Sequence, residues 1–262
     1  APFENILLGT GENPAKAGTP YLAKAIDIAK KYFSNIKIEV MPLSTEDYRT
    51  LAQHGMNGVI CFQETYNREH YNIYHPRGMK SKFEWRCDGF DRMGMAGVHS
   101  IGMGVLIGLE KEWRTDVTMM AYHLRYLQKH YWRTKYSVNF PRMRPAQNEG
   151  FHPNCYMSDR ELAQATFAMR IFDHDVDISY STREPAFIRD NMAYGLAVTV
   201  TPYENLLKLA NECAQGISAP KSNAFSRLFY HLVLEVLVTD FLPNHKDAKN
   251  DDSLRILKLK LE

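Results

Sequence analysis

Short apolar runs alternate with longer segments of helical periodicity along most of this 262-residue sequence. The apolar runs are bounded by turn residues and predict buried strands, whereas the longer segments place apolar residues on one face of a helix. This alternation favours right-handed βαβ units and therefore a parallel sheet. The predicted strands lie near residues 5–9, 36–41, 57–62, 99–106, 136–140, 175–180 and 195–201, and the predicted helices near 19–33, 45–54, 84–96, 114–131, 158–171 and 185–192.

The number of predicted strands accounts for most of an eight-stranded barrel. We therefore expect an α/β fold, with a parallel (β/α) barrel as the main domain of a chain of this length. A doubly wound parallel sheet is the alternative, because the alternation alone does not fix the order of the strands. The sequence begins at Ala1, without Met and only a few residues before a buried strand, so we expect the barrel to be incomplete at its N-terminus.

Two of the predicted helices carry start signals. Ser44 or Thr45, just ahead of two acidic residues, is typical of a helix N-cap. Ser158 is followed by Asp159 and Glu161, which place negative charge at the positive end of the helix dipole. We expect helices to begin at both points.

Composition argues against several classes of function. The sequence has 32 basic and 30 acidic residues, a formal net charge of +2, which gives no electrostatic case for nucleic acid or a membrane surface. It contains no apolar stretch of the roughly 18 residues that a membrane span needs. The four cysteines are scattered and form no CxxC pair, which favours a reduced, cytoplasmic protein. They are Cys61, Cys87, Cys155 and Cys213.

Polar or charged residues follow four of the predicted strands directly. In a parallel barrel or a doubly wound sheet, the carboxyl ends of the strands meet at one edge, and ligands bind there. We therefore expect these side chains to converge on one site. They are Thr10, Gly11 and Glu12 after the first strand, Gln63 and Glu64 after the third, Arg142 and Arg144 after the fifth, and Ser181, Arg183 and Glu184 after the sixth.

The residue types in this set suit a ligand with amino-acid groups. Carboxylates bind an ammonium group or ribose hydroxyls, and arginines bind carboxylates through two parallel hydrogen bonds. Gly102 and Gly104, in the glycine-rich fourth strand, would let a flat ring lie against the backbone. The sequence contains neither a GxGxxG motif nor a phosphate-binding P-loop, and its histidines show no metal-binding spacing.

Each of these groups also has a purely structural interpretation. Glu12 could cap the following helix, Arg142 and Arg144 could form a surface pair, and Gly102 and Gly104 could simply allow close packing. What favours a functional site is the recurrence of charge at the same end of successive strands.

Several long segments resemble one family of enzymes. The segments appear in the order of that family and cover about residues 2 to 192: PFENILLGTGE, GVICFQETYN, YHPRGMKSKFEWR, DRMGMAGVHSIGMGVLIGL, YSVNFPRMRPA and ISYSTRE. They resemble the radical-SAM aromatic-amino-acid lyases, and among these the 2-iminoacetate synthase (tyrosine lyase) type of thiamine biosynthesis. The resemblance implies a barrel of the radical-SAM TIM-barrel type over residues 1–200, followed by a divergent region of uncertain structure, 201–262.

The resemblance also implies a reaction. Enzymes of this family cleave tyrosine, a small-molecule substrate, between Cα and Cβ to give 2-iminoacetate and p-cresol. A [4Fe-4S] cluster reductively cleaves S-adenosylmethionine, and the resulting 5′-deoxyadenosyl radical takes a hydrogen atom from tyrosine. The product would serve thiazole synthesis, so a thiazole synthase is an expected partner.

The resemblance further implies roles for individual residues. Glu12 would hold the ammonium group of S-adenosylmethionine, Arg86 its carboxylate, and Glu64 the ribose or methionine part. Arg183 would bind the substrate carboxylate. The full set of implied cofactor positions is Thr10, Gly11, Glu12, Gln63, Glu64, Arg86, Gly102 and Gly104, and the implied substrate positions are Arg183, Arg142, Arg144 and Ser181.

One element of the family pattern is missing from this sequence. The CxxxCxxC motif that holds the cluster is expected upstream of PFENILL, and the four scattered cysteines do not replace it. We therefore expect the chain to be inactive alone, with no metal ligands of its own. The alternative function is a non-catalytic binding barrel for amino-acid-like or S-adenosylmethionine-like ligands. A phosphate-binding barrel aldolase is less well supported, because neither a phosphate loop nor a catalytic lysine is evident.

Overall fold

The computed structural model describes residues 3–144, 152–181, 183–185 and 188. Strands and helices alternate through this part of the chain, as the sequence predicts. The strands are β1 (Asn5–Gly9), β2 (Asn35–Glu39), β3 (Gly58–Glu64), β4 (Ser100–Val105), β5 (Lys135–Asn139) and β6 (Asp177–Ser179). The helices are α1 (Thr19–Ala29), α2 (Thr45–His54), α3 (Arg68–Tyr74), α4 (Phe83–Cys87), α5 (Gly89–Met95), α6 (Trp113–His130) and α7 (Asp159–Phe172).

The six strands form one parallel sheet in the order in which they occur along the chain, β1 to β6. A doubly wound sheet would reverse its direction of growth at a switch point, and this sheet does not. The sequential order is that of a (β/α) barrel, so the predicted fold class is confirmed and the doubly wound alternative is wrong. Because every strand runs the same way, the carboxyl ends of all six lie at one edge.

The two faces of the sheet differ in character, because successive side chains of a strand point to opposite sides. On one face, apolar residues of β2 to β5 are almost completely buried, among them Ile38, Val59, Ile101 and Val138. The helices contribute matching buried positions, such as Met120 and Leu124 of α6. The other face, which we call the open face, carries small or polar residues of β4 and β5, such as Gly102, Gly104 and Ser137, beside the larger Ile60 and Phe62 of β3.

Both predicted helix starts are confirmed. The Ser44 hydroxyl accepts a hydrogen bond from the Asp47 amide at the start of α2. Ser158 begins α7 with a capping box, in which its side chain and that of Glu161 bond to each other's backbone amides. Such caps satisfy amide groups that have no partner within the first turn of a helix.

The structure differs from the sequence prediction in the region between β3 and β4. Helix α3 was not predicted; it begins after Asn67, whose side chain caps it. The single helix predicted over 84–96 is divided into α4 and α5 at Asp88. The predicted helix 185–192, apart from residues 185 and 188, the strand 195–201 and the region 201–262 lie outside the described residues.

The chain divides into two compact units. The first, Ala1–Met157 with Val176–Ser181, contains the whole six-stranded sheet and helices α1 to α6. The second, Ser158–Asp175 with Thr182–Glu262, contains α7. Within the described residues, no helix has the length and apolar character that crossing a membrane requires.

Gly104 provides a test of the packing on the open face. A Cβ atom at this position would lie 2.1 Å from Cδ1 of Phe62 and 2.9 Å from the Asn139 carbonyl oxygen. We expect Gly104→Ala to lower the free energy of unfolding by about 1–3 kcal/mol, as overpacking does. Urea denaturation measures the change, with Gly11→Ala as the control, because no atom lies within 4 Å of the Cβ built there. Equal effects of the two substitutions would contradict this account of the open face.

Candidate functional site

A buried guanidinium group lies at the carboxyl edge of the sheet. Arg86, on α4, has a side chain that is only 6% exposed. Its Nε donates a hydrogen bond to the Phe62 carbonyl oxygen at 2.6 Å, and its Nη1 donates to Oε1 of Glu12 at 2.8 Å. Its Nη2 lies 3.8 Å from Oε1 of Glu64. One cation therefore joins the loop after β1, the end of β3 and helix α4.

Lys80 completes the charged group. Its Nζ donates to Oε1 of Glu64 at 2.8 Å, and the Glu64 side chain is 14% exposed whereas that of Glu12 is 27% exposed. We call Glu12, Glu64, Lys80 and Arg86 the charge cluster. With two cations and two carboxylates it is formally neutral, and its carboxylates retain access to solvent.

The backbone at Glu64 is unusual. Its φ of 74° is the only positive value found for a non-glycine residue among the described residues. The pairing of β3 with β4 shifts register between Phe62 and Glu64, so Gln63 is an extra residue, as in a β-bulge. A side-chain-bearing residue in the left-handed region costs on the order of 1–3 kcal/mol, and such residues concentrate at functional sites.

Several buried polar atoms near the ends of β1 and β3 have no hydrogen-bond partner within the part of the chain that the structure describes. They include Oγ1 of Thr10, Oε1 of Gln63, the Tyr71 hydroxyl and Nε2 of His75. Buried polar groups are nearly always paired in proteins, so such a concentration indicates a place where a polar ligand binds. This set fits a ligand that offers both donors and acceptors.

Tyr71 and His75 form an aromatic pair beside the charge cluster. Their ring centroids lie 4.8 Å apart, and Tyr71 also packs edge-on against Phe83. Burial, reinforced by the positive charge of Lys80, lowers the pKa of His75 to about 4. Burial raises the pKa of the Tyr71 phenol. Both groups are therefore neutral at physiological pH.

Several of the residues that the sequence singles out lie at the same edge of the sheet. Glu12 follows β1, Glu64 ends β3, Arg142 follows β5 and Ser181 follows β6, all within the first unit. Arg142 is buried, and its Nη1 donates to the Met157 carbonyl oxygen at 3.0 Å. These placements agree with the expectation of a common edge; the roles assigned to the residues stay predictions.

The other predicted residues differ in their exposure and in the compact unit to which they belong. The Thr10 amide extends the ladder by donating to the Glu39 carbonyl oxygen, whereas Gly11 and Arg144 are exposed. Arg183 is exposed and belongs to the second unit. Glu184 belongs to the same unit and is buried.

The two glycines of β4 are enclosed by neighbouring side chains. Phe62 occupies the space above Gly104, and Ile60 and Ser137 flank Gly102. A ring of a ligand at Gly104 would therefore meet the Phe62 ring as well as the backbone.

Sequence reasoning missed Lys80, Tyr71, His75 and Glu39. Burial, followed by the negative charge of Glu64, raises the pKa of the Glu39 carboxyl at the end of β2. The sequence carried a signal for Glu39, because a carboxylate stands within the predicted strand 36–41, and the structure ends β2 at this residue. The other three lie in or after the short helix α3, whose seven residues give too little periodicity to be recognised.

The fold and the site together define a (β/α)-barrel protein with a polar site at the carboxyl ends of its strands. Among solved structures, the chain is similar to HydG, the [FeFe]-hydrogenase maturase of Carboxydothermus hydrogenoformans. The TM-score is 0.68 and the identity 22%, over 99% of this chain and 70% of that one. A family model described as the Biotin and Thiamin Synthesis associated domain matches residues 139–219.

Sequence comparison is more specific. The chain is 43% identical over 190 residues to the 2-iminoacetate synthases of Salmonella typhimurium and Escherichia coli, which is 72% of this chain and 50% of each relative. The resemblance seen in the sequence is thereby confirmed: the chain is similar to 2-iminoacetate synthases over most of its own length. It spans about half the length of the curated relatives it matches.

His75 gives the site a pH signature. Its pKa falls from 6.5 to about 4 on folding, so between these values the unfolded chain binds more protons and the folded state loses stability as the pH falls. We expect His75→Gln to remove about 1–2 kcal/mol of this loss between pH 7 and pH 4, a value reduced because the ring is half-buried. Unfolding free energies of both proteins across this range test it. Parallel curves for the two proteins would show that His75 does not titrate in this way.

Asp116 has the opposite effect on the free energy of unfolding between pH 4 and pH 6. The contribution of His75 must therefore be measured as the difference between His75→Gln and the wild type. Burial raises the pKa of Asp116 to about 6, so the folded state binds the extra proton and its contribution to stability decreases as the pH rises from 4 to 6. Since Asp116 is unchanged in His75→Gln, the difference between the two curves isolates the histidine.

Proposed function

We propose that this chain provides the S-adenosylmethionine and tyrosine sites of a 2-iminoacetate synthase, a radical-SAM lyase that cleaves the Cα–Cβ bond of tyrosine to 2-iminoacetate and p-cresol for thiamine thiazole synthesis. The observation that carries the proposal is the 43% identity to curated 2-iminoacetate synthases. The charge cluster supports it independently, because its four groups match the chemistry of an α-amino acid.

Each charged group of an α-amino acid has a counterpart in the charge cluster. An α-amino acid carries one ammonium and one carboxylate on the same carbon, and the charge cluster holds a carboxylate 2.8 Å from a guanidinium. Glu12 would accept from the ammonium and Arg86 would donate to the carboxylate. Glu64, which accepts a hydrogen bond from Lys80, would accept from ribose hydroxyls or from the same ammonium. Thr10 and Gln63 offer the buried polar atoms described above.

In this proposal the chain's own residues bind and orient the two ligands and shield them from water. S-adenosylmethionine, when bound, supplies the radical chemistry of the reaction. The buried Tyr71 and the half-buried His75, which lie beside the charge cluster, would limit the access of water to the ligand. For the substrate, we propose on the resemblance alone that Arg183 binds the tyrosine carboxylate and that Ser181, Arg142 and Arg144 are further substrate-binding residues.

The described residues do not fit a [4Fe-4S] cluster. Across residues 3–144, 152–181, 183–185 and 188, no three His, Cys, Asp or Glu side chains lie close enough together to hold a metal. Cys61 is buried in β3, and Cys87 lies on α4; Cys213 lies outside the described residues. No step of the reaction is therefore derived through a cluster held by this chain, and we propose that its ligands come from outside this sequence.

A second function remains a candidate because the ligand-binding groups occur here without a CxxxCxxC motif. A non-catalytic barrel that binds amino-acid-like or S-adenosylmethionine-like molecules would need the charge cluster and no radical chemistry. A thiazole synthase that accepts the product belongs only to the enzymatic alternative.

Binding of S-adenosylmethionine tests the shared part of both candidates. We expect Glu12→Gln to weaken binding by roughly ten- to a hundredfold, because one charge-assisted hydrogen bond of about 1.5–3 kcal/mol is lost. Calorimetric titration measures it, with Glu46→Gln as the matched control, since Glu46 pairs with Arg49 on an exposed helix surface. Equal affinities for the wild type and both variants would show that Glu12 does not contact this ligand.

Iron reconstitution separates the enzyme from the binding module. We expect the chain alone to assemble no stoichiometric cluster and to form no p-cresol, because three close thiolates are required. Placing a CxxxCxxC-bearing segment of the family upstream should restore both, as measured by iron analysis and p-cresol release. A chain that binds four irons alone would contradict the account of its cysteines, and an extended protein that binds a cluster without forming p-cresol would favour the binding module.

A further inference from the structure

Helix α6 holds the loop that follows β3 at two points. Oδ1 of Asp116 accepts hydrogen bonds from the Tyr66 amide at 2.7 Å and from the Thr65 hydroxyl at 3.0 Å. About two turns further along the same face of α6, the Tyr66 hydroxyl and Nδ1 of His123 lie 2.9 Å apart. Asp116 and His123 are seven residues apart, which places them on one side of the helix. Tyr66 is thus fixed by its backbone and by its ring.

These contacts are buried and directional. Asp116 is 4% exposed, and Thr65 is completely buried. The Thr65 hydroxyl also accepts a hydrogen bond from the Asn67 amide at 3.0 Å, just before α3 begins. Through these two buried hydrogen bonds, Asp116 holds Thr65 and Tyr66, the two residues that directly follow β3.

The residue immediately before this loop is Glu64, with its left-handed backbone. Its carbonyl oxygen accepts a hydrogen bond from the Leu106 amide at 2.8 Å, which ties it to the end of β4. Its side chain meets Lys80 and Arg86. A strained φ persists only where the surrounding structure holds it, and here the bonds that follow it come from Asp116.

We propose that Asp116 is a positioning residue: through Thr65 and Tyr66 it holds the backbone of Glu64 in the left-handed conformation and so directs the Glu64 carboxylate at Lys80 and Arg86. Asp116 itself touches none of the charge cluster. The inference rests on the proposed function only for the identity of the ligand that the carboxylate would meet.

The positioning role needs the Asp116 side chain as a hydrogen-bond acceptor, because Oδ1 accepts both bonds to the loop. Burial and, to a smaller extent, the nearby Glu110 carboxylate raise its pKa to about 6. An acid oxygen or an amide oxygen can accept the same two bonds. Asp116→Asn should therefore preserve the positioning, whereas Asp116→Ala should abolish it.

Hydrogen exchange at the Leu106 amide reports on the held conformation without any ligand. We expect Asp116→Ala to accelerate this exchange by roughly fivefold or more, the factor that corresponds to releasing a left-handed residue. Asp116→Asn should resemble the wild type. Thr118→Ala is the matched control, because that exposed hydroxyl donates to the Arg114 carbonyl oxygen of its own helix. Thr65→Val, a milder change, should give a smaller acceleration and serves if Asp116→Ala does not fold.

A glycine at position 64 distinguishes positioning from a general structural role. Glycine adopts positive φ without strain, so Glu64→Gly alone should keep Leu106 protected, and adding Asp116→Ala to it should accelerate exchange far less than in the Glu64 background. Equal acceleration in both backgrounds would overturn the proposal, as would loss of protection in Glu64→Gly alone. If the cycle behaves as expected but S-adenosylmethionine binds wild type and Asp116→Ala equally, the ligand assignment fails and the positioning role stands.

Discussion

The arrangement of the candidate site depends on one buried cation. The Arg86 guanidinium lies under the carboxyl edge of the sheet, where an unpaired charge would cost several kcal/mol. It is neutralised and hydrogen-bonded by Glu12 and by the Phe62 carbonyl oxygen. Because these partners come from the loop after β1 and from β3, pairing one charge also fixes the positions of two segments of backbone.

The same edge shows how regular structure and strain are combined. Parallel strands in sequential order bring the ends of β1, β3 and β5 together without any special sequence. The bulge at Gln63 and the left-handed Glu64 depart from that regularity at a single point. The bulge changes the direction of the Glu64 carboxylate. The hydrogen bonds of Thr65 and Tyr66 to Asp116 of α6 offset the backbone strain at Glu64, because they are made to a buried side chain.

The elements of the fold were largely predictable, whereas the contacts of the site were only partly so. Apolar runs in the sequence located all six strands of the described sheet, including β1 and β6, which lie at its two edges and are only partly buried. The pairing of Glu12 with Arg86 joins residues 74 positions apart, and no local pattern encodes it. Gly104 shows a further limit: its lack of a side chain suggested space for a ligand ring, but the Phe62 ring occupies that space.

The internal pairing of the charge cluster also bears on which ligands it suits. A ligand must replace Glu12–Arg86 and Glu64–Lys80 contacts with its own, and the replacement costs little only if it leaves no charge unpaired. A phosphate would satisfy the two cations and leave two carboxylates facing an anion, which is unfavourable at this depth. A zwitterionic amino-acid group satisfies one charge of each sign. The electrostatics of the cluster therefore favour an amino-acid moiety over the phosphorylated substrates that many barrels of this size bind, and they do so without reference to any relative.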